Sequence, residues 1–115
     1  MTEIKVLRES ETEVFVDGDE AVRMYLRSEK LNFSVGILPP GHKTPMDPGH
    51  PGALEVAFVL EGEAVFVFED PSETHWLLPG DAIVVPEGVP HLVYNPTSTV
   101  TKVAWALAPG TSPSG

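Results

Sequence analysis

The chain has 115 residues, 17 acids against 7 Lys and Arg (net charge −10) and no cysteine, so it has room for one domain and none for disulfides, thiolate metal sites or cysteine nucleophiles. The acidic balance argues against nucleic acid and anionic lipid as partners, since both need clustered cations. No apolar run reaches the roughly 18 residues that span a bilayer, and the opening Met1-Thr2-Glu3-Ile4-Lys5 has no signal-peptide character, so a soluble cytoplasmic protein is expected.

Twelve prolines and ten glycines leave little space for helices. The runs between them are rich in Val, Phe, Ile, Tyr and Trp, which predicts an all-β fold. Ile4 to Leu7 and Glu13 to Val16 read as short strands, with Asp17-Gly18 as a turn. Ala21 to Arg27 alternates, with Val22, Met24 and Leu26 on one face and Arg23, Tyr25 and Arg27 on the other. Leu31 to Leu38 places Leu31, Phe33, Val35 and Ile37 together. Residues 36–52, GILPPGHKTPMDPGHPG, hold five prolines and four glycines and predict a rigid, irregular loop. Leu54 to Leu60 and Glu63 to Glu69 form a hairpin around Glu61-Gly62. Thr74 to Leu78, Ala82 to Val85, His91 to Asn95 and Thr99 to Ala108 complete the strands. One domain over residues 1–108 and a disordered tail over 109–115 are expected. So many short strands suit a sandwich or a barrel, and period alone does not choose between them.

Of the four histidines, His50 and His91 each follow a rigid Pro/Gly turn. Glu55 is the only charge inside the run LEVAFVL. Alternation groups Glu55 with Ala57 and Val59, and Leu54 with Val56, Phe58 and Leu60. Glu55 then either points into a lumen, where it needs a partner, or faces solvent on a partly covered strand.

The stretch Gly80 to Asn95, GDAIVVPEGVPHLVYN, fits the second cupin motif at Gly80, Pro86, Gly88, His91 and Asn95. Residues Gly41 to Gly62 fit the second half of the first motif at His50, Glu55 and Gly62. The chain thus resembles the cupin superfamily, as a small single-domain member. The resemblance implies a single jelly-roll β-barrel with one divalent metal (Fe, Mn, Ni or Zn) in its lumen. It implies His50, Glu55 and His91 as ligands. The position of the motif's first histidine holds Pro48, and the loop is one residue longer, so Asp47 or His42 is the candidate replacement. Two histidines and a carboxylate can form a facial triad with open positions. The alternative is a cupin without metal, in which His50 and Glu55 simply pair.

Tyr94, Trp105 and Lys102 are candidates for binding substrate. Arg23 and Arg27 have two readings, as anchors for a substrate carboxylate or as charges offsetting the acidic N-terminus. The function expected from the resemblance is a metal-dependent enzyme. It would act on a small oxygenated molecule (sugar, uronate, keto acid or phenol) as an isomerase, lyase or dioxygenase. The alternatives are a metal-free ligand-binding or regulatory cupin and a metal-binding protein without catalysis. A homodimer is also expected, because one small barrel leaves sheet edges and apolar surface to cover.

Overall fold

The computed structural model describes residues 3–70 and 72–111. Among the described residues the fold is antiparallel β, with a single 3-10 turn at Glu9–Glu11. The strands are β1 (Glu13–Asp17), β2 (Glu20–Arg27), β3 (Asn32–Leu38), β4 (Leu54–Glu61), β5 (Ala64–Phe68), β6 (His75–Leu77), β7 (Ala82–Val85), β8 (His91–Tyr94) and β9 (Thr101–Ala108). They form a six-stranded sheet, ordered β1-β2-β3-β9-β4-β7, and a three-stranded sheet, ordered β6-β5-β8. This is a jelly roll of two sheets, and their hydrogen bonding does not close into a continuous barrel. No strand forms at Ile4 to Leu7, where Ile4 is almost fully exposed and no neighbouring strand pairs with it.

The inner face of the large sheet carries the small and polar sets. On β4, Glu55, Ala57 and Val59 are buried, while Leu54, Phe58 and Leu60 point outward and stay half-exposed. The same inversion holds on β3. Ser34, Gly36 and Leu38 are the inward residues, and Phe33, Val35 and Ile37 share a face as expected, which is the outward one. Small inner residues leave room for a lumen between the sheets. One end of that lumen is filled by Leu38, Ala57, Val59, Ala64, Phe66, Leu77, Val93 and Val103.

Two motif residues act through the backbone. Asn95 is fully buried, and its amide donates to the carbonyls of Leu38 (3.0 Å) and Thr99 (2.7 Å), while its Oδ1 accepts from Thr97 N (2.9 Å). Gly62 has φ +75°, and a Cβ there would lie 2.6 Å from the Val100 carbonyl oxygen, so only glycine makes this turn without strain. At the far end, Gly110 N donates to Glu29 O (3.0 Å) and Thr111 N to Asn32 Oδ1 (3.1 Å), so residues 110 and 111, expected in a disordered tail, are bonded to the body of the fold. Residues 112–115 lie outside the described residues.

Candidate functional site

The other end of the lumen is an open cavity of about 170 Å³. Asp47 and His50 of the Pro/Gly loop, Glu55 of β4, His91 of β8 and Trp105 of β9 all line it. Residues 43–47 run beside β8. Thr44 N donates to Val93 O (2.9 Å), and Asp47 and His91 exchange backbone hydrogen bonds of 2.7 and 2.9 Å. The His50 carbonyl accepts from Ala53 N (3.1 Å) and Gly88 N (3.2 Å), which ties the Pro/Gly loop to the turn before β8. Gly49 permits this contact, because a Cβ there would meet the Gly88 backbone at 2.6 Å.

Glu55 is the centre of the cluster. Its Oε1 lies 3.0 Å from His91 Nε2, and its Oε2 lies 3.8 Å from His50 Nε2. Asp47 Oδ2 is 3.3 Å from His50 Nε2, and Asp47 Oδ1 accepts from Gly49 N (2.8 Å). His91 Nδ1 is 2.9 Å from the Val89 carbonyl, to which it donates. In a neutral ring that tautomer turns the Nε2 lone pair toward Glu55. The pair is not aligned for a hydrogen bond, and buried Glu55 Oε1 has no hydrogen-bond partner. Burial pulls the His91 pKa down, but the Glu55 carboxylate, the Val89 carbonyl and the Asp47 charge together raise it above the ordinary histidine value.

This donor set suits a divalent metal. Ligands at right angles and about 2.1 Å from a metal are about 3.0 Å apart, which matches His91 and Glu55. The His50–Glu55 separation is wider. Among the described residues, no three His, Asp or Glu side chains already close around an ion-sized point. His50 is the more exposed member of the His50–Glu55 pair, at about one-third.

Sequence reasoning missed Glu20. It is 7% exposed and lines the cavity. A Cβ on Gly36 would collide with its carboxylate, so the glycine makes the space that Glu20 occupies. Burial, chiefly, and the charges of Asp17 and Glu55 push its pKa up to about 7, while the Trp105 indole acts in the opposite sense. The signal was present, because Glu20 is in phase with Val22 and Met24 and extends the same alternation by one residue.

Three expected site residues lie elsewhere. Tyr94 is on the outward face of β8, opposite in phase to His91 and Val93, and does not line the cavity. Lys102 is on the outward face of β9, 3.8 Å from Glu61. His42 is exposed and pairs with Asp19 at 2.9 Å, so it does not stand in for the missing histidine.

The cupin-domain family model (Cupin_2) matches residues 34–107, which contain His50, Glu55 and His91. The chain belongs to the cupin family. No curated protein matches this cupin. Among solved structures, it is similar to an uncharacterized conserved protein with a double-stranded β-helix domain from Klebsiella pneumoniae, at 20% identity and TM-score 0.79, over 96% of this chain and 94% of that one. It is similar to KdgF from Halomonas sp. at 18% identity and TM-score 0.79, over 93% and 96% of the two chains. A predicted oxalate decarboxylase from Thermotoga maritima is similar at 25% identity and TM-score 0.73, over 90% and 98%. These likenesses describe the fold of this cupin. No helix long and apolar enough to cross a membrane occurs among its described residues.

Proposed function

We propose that this cupin is a metal-dependent enzyme acting on a small oxygenated molecule, as an isomerase, lyase or dioxygenase. In this reading His50, Glu55 and His91 hold one divalent metal (Fe, Mn, Ni or Zn), and Asp47 is a fourth donor from the loop. The observation that carries it is Glu55 Oε1, buried and without a hydrogen-bond partner while 3.0 Å from His91 Nε2. Two buried lone-pair groups facing each other need a cation between them. A bound divalent ion supplies Lewis-acid polarisation of a substrate oxygen. Glu20 is the proton-holding group of the same cavity, and its pKa of about 7 suits proton transfer near neutrality.

The raised pKa of His91 favours a second reading. There the cation is a proton on His91, the pair with Glu55 is an ion pair, and the cavity binds a ligand without metal. Elemental analysis of protein purified without chelator separates the two. The enzyme reading expects about one ion per chain, lost in His91→Ala. Absence of metal from the wild-type protein, with calorimetry showing no uptake of added Mn or Zn, would leave the metal-free reading.

A further inference from the structure

Asp17 and Glu20 are directly opposite residues where β1 turns into β2. Residues so paired have Cβ atoms about 4.5–5.5 Å apart on one face, and like charges there repel. Both line the lumen cavity, Asp17 exposed and Glu20 only 7% exposed. Among the described residues neither has an ion-pair partner. Asp19, in the same turn, does, because His42 stands 2.9 Å from it. Burial and then the Asp17 charge raise the Glu20 pKa, as expected of a carboxylate whose surroundings lack a cation.

The rest of the wall has the same sign. Asp47 and Glu55 line it as well, and no Lys or Arg does. Glu55 is 8% exposed, and its Oε1 has no hydrogen-bond partner. The two arginines that the sequence offered as anchors for a substrate carboxylate lie elsewhere. Arg23 Nη1 donates to Glu9 O (2.9 Å) and Thr12 Oγ1 (2.8 Å), and the Arg27 guanidinium stands over Phe15, 6.0 Å from the ring centroid, without lining the cavity. A divalent ion at the His50–Glu55–His91 cluster would bring two positive charges against four carboxylates. The loaded cavity is therefore still anionic, whether or not Glu20 holds a proton. Much of the remaining wall is apolar, with Phe15, Val22, Met24, Val93 and Leu107.

We propose that the lumen takes a small organic ammonium, its cationic nitrogen at the Asp17–Glu20 pair, its apolar body along the wall and an oxygen-bearing end at the His50–Glu55–His91 cluster. The place of the oxygen-bearing end rests on the enzyme reading of that cluster, and the proposal narrows its substrate to amines, away from uronates and keto acids. An ammonium N–H donating to a carboxylate is a charge-assisted contact, and it relieves the repulsion within the pair. A carboxylate ligand would add a charge of the sign already in excess. The size fits a compact molecule. A cavity of about 150 Å³ holds benzene, so about 170 Å³ with an open mouth suits one ring and a short side chain. An ammonium beside Glu20 also favours its ionised form, so with ligand bound Glu20 stands as a base.

The test is calorimetry at pH 8 with tyramine, tyrosol and 4-hydroxyphenylacetate, on the protein as purified. The three share a hydroxyphenyl ring and end in an ammonium, a hydroxyl and a carboxylate. Tyramine is expected to bind at least about tenfold more tightly than tyrosol, and the acid most weakly. Glu20→Gln should erase the preference for tyramine over tyrosol. Asp17→Asn, an exposed replacement that leaves the core untouched, should reduce it, and Asp19→Asn should keep all of it. Tyramine that binds no better than tyrosol, or not at all at millimolar concentration, would overturn the proposal, and so would a preference that survives both Glu20→Gln and Asp17→Asn. The enzyme reading fails separately. A protein that takes up no metal, yet prefers tyramine through Glu20 and Asp17, keeps the ammonium site and discards the metal.

Discussion

Asp47 and His91 face each other across a single antiparallel bridge, each backbone N–H donating to the other's carbonyl, at 2.7 and 2.9 Å. The bridge joins the Pro-rich loop to β8 and brings the loop carboxylate to the cavity that holds the histidine ring. It does so without using either side chain, so the backbone arrangement survives side-chain replacement.

The first prediction follows from that independence. Asp47→Ala keeps the bridge and removes the carboxylate beside His50, together with its hydrogen bond from Gly49 N. Metal affinity should fall about tenfold, while thermal stability changes little. His91→Ala, measured beside it by calorimetry with Mn or Zn, should abolish uptake. Unchanged affinity in Asp47→Ala would make the site a three-ligand one.

Glu20 gives a prediction in pH. Its folded pKa is raised from 4.5 to about 7, so between those values the native state holds a proton that the unfolded chain has released. Stability from this group is therefore present below pH 4.5 and is lost as pH rises toward and through 7. The loss is on the order of 3 kcal/mol for a shift of this size. Urea unfolding of chelator-treated protein should show the decline. Glu20→Gln should flatten it and be more stable than wild type at pH 8. A parallel pH dependence in the variant would show that Glu20 is not its source.

Gly62 yields a third prediction. At φ +75°, with the Val100 carbonyl 2.6 Å from the site of a Cβ, Gly62→Ala carries both backbone strain and a clash that no rotamer relieves. A loss of about 2 kcal/mol or more is expected in chemical denaturation, with metal binding retained by the folded fraction. A loss near zero would show that the β4–β5 turn can rearrange.

How much of this was legible in the sequence depended on whether a feature was local. His91, Asn95, Gly80 and Gly88 sit in a fixed spacing, so the second motif and its turn could be read directly. The direction of Glu55 was open, because alternation says which residues share a face and not which face is inside. The apolar phase of β3 turned outward for the same reason, leaving Ser34 and Gly36 to line the lumen. Tyr94 and Lys102 were drawn in by residue type, yet each is one residue out of phase with the inward set of its strand. Alternation grouped Arg27 with Arg23 and Tyr25, and the bulge between Met24 and Leu26 breaks that grouping, since a bulge is a property of two paired strands and the sequence of β2 alone shows unbroken alternation. Trp105 needed only its phase with Val103 and Leu107.

The outward face of the large sheet leads to the last prediction, which concerns the homodimer. Leu54, Phe58 and Leu60 on β4, Val84 on β7 and Phe33 on β3 are all exposed by more than a third, with Ala104 and Ala106 of β9 between them. Lys102 and Glu61 stand at one end of this face. A contiguous apolar sheet face of this kind marks an interaction surface. A second copy of the chain suits it, because a two-fold axis lays the same residues against themselves. Phe58 is the replacement to make, since it faces Ala104 and Ala82 on the flanking strands and no side chain of the lumen. Light scattering should give twice the chain mass for the wild-type protein at micromolar concentration. Phe58→Glu should give the monomer mass, by placing like charges opposite one another in the dry interface. A wild-type protein that is already monomeric at that concentration would remove the dimer and leave the face as free surface.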